Sequence, residues 1–381
     1  MPHGIKYIYL RIPGWVCFTS VFVCVMLLVT APQVHARVEG PCSNCHTMHY
    51  SQNNSILEDW DEGGPHQALL RSDCIGCHSG NNTGTAEWDT PFVTSLSETP
   101  TYNTSGTENN TTTLAGGSFY WVNQAANDAI GGDAAGHNVA GICNGDGTLL
   151  VPPGFDGGRA AADGTIPGNG VWPSGQQATC AGIYGCHGTH AEAVQTLAIH
   201  GAHHGDLGGA RTNPGDSSAA GYRFLVGIEG YEDPDWEFQP TAGAHNQYKG
   251  VDTPATIHTS TISSLCARCH GAYHDDSANV GTGFPWLRHP TDYDMGNADA
   301  DEYRNYGGSG VNDYVPAVPV ASDDIADTGV VSKVAFNNNT AIVTCVSCHR
   351  AHGSPYYKAM RWDYAGSVTG GLCSECHSSK D

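Results

Sequence analysis

Five times in this chain a Cys-x-x-Cys pair is followed at once by histidine: Cys42/Cys45-His46, Cys74/Cys77-His78, Cys266/Cys269-His270, Cys345/Cys348-His349 and Cys373/Cys376-His377. Two residues between the thiols let them span the two vinyl groups of a porphyrin. The histidine, next in line, then falls beneath the metal. Each motif therefore reads as a covalent attachment site for haem c, with two thioethers and a proximal imidazole. Zinc knuckles or disulfides use the same donors, but chance does not place histidine after the second cysteine five times over.

Haem also answers a problem of composition. The chain of 381 residues is 39% hydrophobic, contains 49 glycines and has a mean hydropathy of −0.31. Few long apolar periodic runs lie beyond the N-terminus, so aliphatic side chains to bury are scarce. Rigid apolar macrocycles held covalently replace them. The expected architecture is loop-rich, with short helices and a few β-hairpins wrapped around a chain of paired haems and little regular secondary structure. Without haem such a chain is expected to be largely unfolded. The formal charge of −22 argues against nucleic acid and against an anionic membrane surface. It suits basic redox partners or cations, and it also serves solubility.

The N-terminus reads as a secretory signal peptide over residues 1–36. Lys6 and Arg11 make a basic start, Trp15 to Thr30 is apolar, and Val34-His35-Ala36 has the small-x-small form of a cleavage site. The apolar run is short for a membrane span, so no stable span is expected after cleavage. Residues 37–95 then hold the first haem pair, with a helical-looking stretch from Gln67 to Arg71. Residues 96–178 form a Gly/Asn/Thr-rich insert, expected as an ordered surface loop region, in which Phe119-Tyr120-Trp121-Val122 looks like a short strand. Residues 179–290 hold the middle pair. Residues 291–340 are a linker, and Val330 to Phe336 and Ala341 to Thr344 suggest a β-hairpin around Asn337-Asn338-Asn339. Residues 341–381 hold the last pair.

A sixth site is stretched. Residues 180–187 read Cys-Ala-Gly-Ile-Tyr-Gly-Cys-His. Cys186 and His187 stand as in the other motifs, but Cys180 lies farther back. A bulging loop can still present both sulfurs; alternatively Cys180 pairs with the leftover Cys143, leaving Cys186 as a single thioether, or no haem is held. Position favours haem. His49, His190 and His352 each follow a proximal histidine by three residues, at the first, third and fifth sites only, so the chain looks like three haem pairs. Six haems are expected, with five as the minimum.

Twelve histidines of the mature chain lie outside the motifs, against three methionines, Met48, Met295 and Met360. Bis-histidine iron is the expectation. The distal candidates are His49, His66, His137, His190, His289 and His352, with His203, His204, His245, His258 and His274 in reserve. An offset of three cannot reach the far face of the same iron, so His352 is expected to serve the haem of its pair partner, the sixth.

Residues 345–377 closely resemble the doubled Cys-x-x-Cys-His module of multihaem cytochromes, and residues 41–80 look like a second copy. His289-Pro290 resembles that family's upstream distal ligand. The layout is similar to the exported multihaem c-type cytochromes of metal-reducing and syntrophic anaerobes, including the cytochrome c3/c7-like and outer-surface groups, some of which polymerise into extracellular filaments. The resemblance implies electron transfer in extracytoplasmic or extracellular respiration, in the periplasm or at the outer surface. The implied partners are redox proteins, the chain itself end to end, or extracellular metal acceptors. A multihaem reductase with one open iron is the alternative, but no Cys-x-x-Cys-Lys motif is present and histidine is in surplus.

Overall fold

Thr261 opens the longest helix among the described residues. Its Oγ1 accepts the Ser264 N–H at 3.2 Å and donates to Asp292 Oδ2 at 3.0 Å, satisfying an N–H that the first turn leaves without a helical partner. The helix, Ile262–His270, buries Ile262 and Leu265 against Leu225, Ile228, Tyr248, Ala321, Ile342 and Val346. Burying such a side chain stabilises the fold by about 1.5–3 kcal/mol. The same helix ends in Cys266, Cys269 and His270, so the core directly fixes the fourth site.

This computed structural model describes residues 42–49, 51–52, 55–56, 69–80, 90–94, 114–123, 132–157, 170–199, 222–233, 236–238, 240–252, 258, 260–273, 291–297, 306–307, 312–325, 330–336, 340–363 and 371–377. The leader over 1–36 lies outside them, as do Gln67 and Asn337 to Asn339. Residues Ala36–Asp381 form one compact unit. In chain order the α-helices are α1 Cys74–His78, α2 Tyr120–Asn123, α3 Gln195–Ala198, α4 Ile262–His270 and α5 Cys345–Cys348. The strands are β1 Ser51–Gln52, β2 Ser55–Ile56, β3 Thr179–Ala181, β4 Gly185–His187, β5 Gly230–Tyr231, β6 Gln247–Tyr248, β7 Tyr293–Asp294 and β8 Ile342–Val343. They pair two by two: β1–β2, β5–β6 and β7–β8 antiparallel, β3–β4 parallel. Short 3-10 turns and loop carry the rest of the described residues.

Neighbouring residues of β8 face opposite ways. Ile342 enters the cluster beneath α4, whereas Val343 enters a second cluster with Met295, Tyr306, Tyr314, Val318, Val334 and Trp362. Cys348, Cys373 and Cys376 pack against that second cluster. Cys180 and Cys143 pack against a third one, of Phe119, Val122, Ala135 and Val139. Cys269 packs against Trp172 with Phe155 and Tyr184. Three of these apolar clusters therefore abut cysteines of a haem motif.

Three local expectations are corrected. The aromatic run at 119–122 is a helical turn, α2, not a strand, because Phe119 and Val122 must point together into the third cluster. Val330 to Phe336 does not pair with Ala341 to Thr344: Lys333 bridges Asp313, and β8 pairs with β7 and bridges Ala321. In the described part of the stretch expected to be helical, Leu69 ends a 3-10 turn with φ 56° and Leu70 bridges His46, so no α-helix continues through 69–71. The insert is also less peripheral than its composition suggests. Gly117 and Gly136 both bridge Gly353, and Ser118 N–H and Ser354 N–H bond Gly353 O and Ala135 O at 2.9 and 2.8 Å. A Cβ on Gly353 would stand 2.8 Å from Ser118 O, so only glycine lets these three segments meet.

Candidate haem sites

A helical turn explains why the short spacing works. The N–H of His46, His349 and His377 bonds the carbonyl of the first cysteine in its own motif, at 2.8, 3.1 and 2.9 Å. Within one turn, residues three and four apart share a face, so both thiols and the imidazole converge. In α1 the turn is capped by Asp73, whose Oδ1 accepts the N–H groups of Ile75 and Gly76 at 2.9 and 3.2 Å.

The third site reaches a similar end by another route. β3 and β4 run parallel with Thr179 opposite Gly185 and Ala181 opposite His187, which sets Cys180 and Cys186 side by side. A Cβ on Gly185 would lie 2.4 Å from the Ala181 carbonyl carbon, so the pairing requires glycine there. Gln195 Oε1 accepts from Cys180 N at 2.9 Å, and Arg268, inside the fourth motif, donates to Gly185 O at 2.8 Å and Ile183 O at 3.0 Å. Cys143 stands apart, its thiol 3.7 Å from both Val139 O and Asn138 Oδ1, while the Cys180 thiol meets Cys74.

Four of the six proximal imidazoles share one feature. Nδ1 faces a backbone carbonyl at His78 (Pro91 O, 2.9 Å), His187 (Arg223 O, 3.0 Å), His270 (Pro153 O, 2.7 Å) and His349 (Lys358 O, 2.9 Å). A carbonyl only accepts, so Nδ1 carries the hydrogen and Nε2 keeps the lone pair a metal needs. Burial holds the pKa of His187 and His349 below the ordinary value and lowers His270 to about 4. The rings are therefore neutral at pH 7. This donor set fits a metalloporphyrin.

Two further histidines stand opposite two of these. The rings of His137 and His270 lie 5.9 Å apart between centres, and those of His187 and His352 lie 6.4 Å apart. With metal–nitrogen bonds of about 2 Å and about 1.1 Å from nitrogen to ring centre, imidazoles on opposite faces of one iron stand roughly 6 Å apart. His137 Nδ1 donates to Ala351 O at 2.6 Å. His352 stacks on Phe119 at 4.7 Å, and burial takes its pKa down to about 3. The structure thus sets His352 against the third site, not the sixth that its pair partnership suggested, because the loop after the fifth motif runs back to the insert.

The cysteine pairs follow one another in space in sequence order. Within pairs, second cysteines approach. Burial and then the Cys45 thiol raise Cys77; burial and then Cys186 push Cys269 up to about 12; burial and then Cys376 push Cys348 up to about 12. Between pairs, first cysteines touch. A hydrogen bond between the Cys74 and Cys180 thiols lowers the first and raises the second. Another, from Cys266, lowers Cys345 to about 7.

Of the other distal candidates, His49 is exposed and His258 half-buried. His190 Nε2 lies 3.4 Å from Cys186 O. His245 is fully buried and lies flat on Tyr314 at 3.5 Å, with Nδ1 3.1 Å from Thr241 O. His66, His203, His204, His274 and His289 lie outside the described residues. Sequence reasoning missed Arg268 and the carbonyls of Pro91, Pro153, Arg223, Ala351 and Lys358. Any residue offers a carbonyl, so only the two prolines carried even a weak signal.

The motifs, their geometry and the doubled module together define a multihaem c-type cytochrome carrying haem c. The family model described as the doubled CXXCH motif matches residues 339–381. The C-type cytochrome OmcS of Geobacter sulfurreducens is 29% identical over 403 residues, covering 90% of this chain and 84% of that protein. A solved structure, the Outer Membrane Cytochrome S Filament from Geobacter sulfurreducens, is similar over 86% of this chain and 85% of that one, at 20% identity and a TM-score of 0.44. Among the described residues no helix is long and apolar enough to cross a membrane.

Proposed function

We propose that this protein is an electron conduit, not an enzyme, holding six haems in one file and passing electrons along it outside the cytoplasm. The observation that carries this reading is the unbroken spatial series of six cysteine pairs, in sequence order, with neighbouring thiols in contact or electrostatic reach. Each bound haem supplies a one-electron iron couple. The chain's own residues would fix where each couple sits: the thiols would anchor the haem, the carbonyl-held imidazoles of His78, His187, His270 and His349 would each offer Nε2 to an iron, and His352 and His137 would supply a second imidazole at the third and fourth sites. Closed imidazole pairs favour transfer over substrate chemistry.

The relative is a c-type cytochrome, and the similar solved structure is that of a filament. In our reading this chain too assembles end to end. The first motif, Cys42 to His46, and the sixth, Cys373 to His377, are the two ends of this file of haems. His49 is exposed beside Met48, free to ligate across a junction. Such a head-to-tail contact propagates without closing. The leader-like N-terminus supports export, and the acceptor is then an extracellular metal or a redox protein.

Intact mass of the purified native protein tests the count. Six covalent haems are expected, with Cys180 and Cys186 both consumed. Five haems, with Cys180 joined to Cys143, would sink the six-haem file.

A further inference from the structure

Among the described residues three loops hold two successive left-handed residues other than glycine. One, Trp236-Glu237 (φ 59° and 62°), bonds away from any haem motif, with Trp236 O accepting Ala115 N–H at 3.1 Å. The other two repeat one arrangement beside a motif. Arg223 and Phe224 have φ 50° and 62°, and Lys358 and Ala359 have φ 59° and 53°. Consecutive left-handed residues without glycine are disfavoured, each by roughly 1 kcal/mol or more. Both dipeptides follow a tyrosine, Tyr222 and Tyr357, and both serve the residue pair that ends a haem motif. The first carbonyl of each dipeptide accepts from the proximal imidazole: Arg223 O from His187 at 3.0 Å and Lys358 O from His349 at 2.9 Å. The second carbonyl accepts the N–H of the residue after that histidine: Phe224 O from Gly188 at 2.7 Å and Ala359 O from Arg350 at 2.8 Å.

The first site repeats the part that is described. Leu69 has φ 56°, and its carbonyl accepts Thr47 N–H at 2.8 Å. Leu70 bridges His46 as Met360 bridges His349. Arg71 N–H bonds Cys45 O at 2.9 Å, as Arg361 N–H bonds Cys348 O at 2.8 Å. The second and fourth sites do otherwise. Their imidazoles bond the carbonyls of Pro91 and Pro153, and among the described residues no left-handed residue other than glycine stands beside them.

We propose that the left-handed dipeptides Arg223-Phe224 and Lys358-Ala359 are positioning devices that fix the ring orientation and donor strength of the proximal histidines of the third and fifth haems, a task that falls to single proline carbonyls at the second and fourth. The inference rests on His187 and His349 ligating iron. The physical reason for the strained turn is that it aims two successive carbonyls at one motif: one holds the imidazole, the other holds the chain next to it. A carbonyl bonded to Nδ1–H makes the imidazole a stronger donor, which favours ferric iron. At the third site the turn is further braced, since Arg223 N–H bonds Glu232 Oε1 at 2.5 Å and Arg223 Nη2 bonds Asn246 Oδ1 at 2.9 Å.

The test substitutes Lys358 in the full secreted haem protein. Intact mass first establishes the haem complement, and His349→Ala identifies the fifth haem; if the low-spin ferric spectrum survives that change, the ligand reading has failed, independently of the device. Lys358→Gly removes the steric cost and keeps both carbonyls, so its potentials and electron paramagnetic resonance g-values should match the parent. Lys358→Pro cannot adopt positive φ. It should shift one haem to easier reduction, on the order of tenfold in the ferric-to-ferrous ratio at fixed potential, equal to about 59 mV for one electron, with new g-values for that haem alone. Lys358→Val, β-branched and intolerant of φ above zero, should fall between them and decides the matter if the proline variant does not accumulate. Proline and valine variants that carry every haem and titrate like the parent would overturn the proposal.

Discussion

The third and fifth sites hold their proximal histidines through the same kind of turn, yet they place their cysteines in different ways. At the fifth site the motif is a helical turn that sustains itself. Thr344 N–H bonds Ser347 Oγ at 3.0 Å and His349 N–H returns to Cys345 O at 3.1 Å. At the third site the thiols sit on two parallel strands, and the loop between them is held from outside by Gln195 and Arg268. Spacing of the cysteines is thus a local convenience. What must be reproduced is the placement of two sulfurs and one imidazole, and a nonlocal arginine can stand in for a helix. The cost is dependence: the loop of the third site is shaped by Arg268 of the fourth motif. The fifth closes its turn with its own backbone and takes supporting bonds, from Cys345 N–H to Ser263 Oγ at 3.4 Å and from Arg361 Nε to Val346 O at 2.6 Å.

The sharpest way to break this comparison is at His352, which follows the fifth motif but faces the third. His352→Met should replace imidazole by thioether opposite His187, and raise the potential of the third haem by more than the turn substitutions at Lys358 shift the fifth. The fifth haem should keep its g-values. Site-resolved potentiometry checks this, and a shift confined to the fifth or sixth haem would contradict the ring pairing.

Arg268→Ala comes next in size. It leaves Gly185 O and Ile183 O without their donor, at about 1–3 kcal/mol for each buried carbonyl. The expected outcome is lower thermal stability and a fraction of molecules lacking the third haem by intact mass, with the doubled module at the C-terminus fully loaded. Equal loss at the third and fifth sites would remove the distinction between a braced and a self-sustaining motif.

The smallest effect concerns His245, which stacks on Tyr314 of the second cluster. Burial lowers its pKa to about 4, against about 6.5 in an unfolded chain. As pH falls below 6.5 the unfolded chain takes up a proton that the fold refuses. Stability therefore declines between pH 6.5 and 4, and this contribution levels off below that. His245→Gln should flatten part of that slope in denaturant unfolding followed across this range. An unchanged slope would mean that His245 does not titrate against the fold.

The attachment chemistry was legible because it is written within a few consecutive residues. Cys345, Cys348 and His349 meet on one turn whatever surrounds them, and the stretched spacing of Cys180 and Cys186 was readable as a bulge. Scarcity of methionine likewise pointed to imidazole pairs. The partner of each iron was not legible, since an offset of three excludes one haem without naming another. His352 finds the third site only because Gly353 allows a crowded crossing. The strand expected at 119–122 failed because β-propensity is weak against packing: Phe119 turns inward to lie on His352. The carbonyl devices left no trace in composition, because arginine and lysine rarely mark left-handed backbone.

The crossing at Gly353 also orders events in time. His137 donates to Ala351 O across 214 positions of sequence, and Ser118 and Ala135 bond the same short segment. A chain made from its N-terminus delivers its first four cysteine pairs well before residue 351. Until that segment arrives, the insert has nothing to close on and His137 has no acceptor. Closure of the middle of the molecule therefore waits for its C-terminal end.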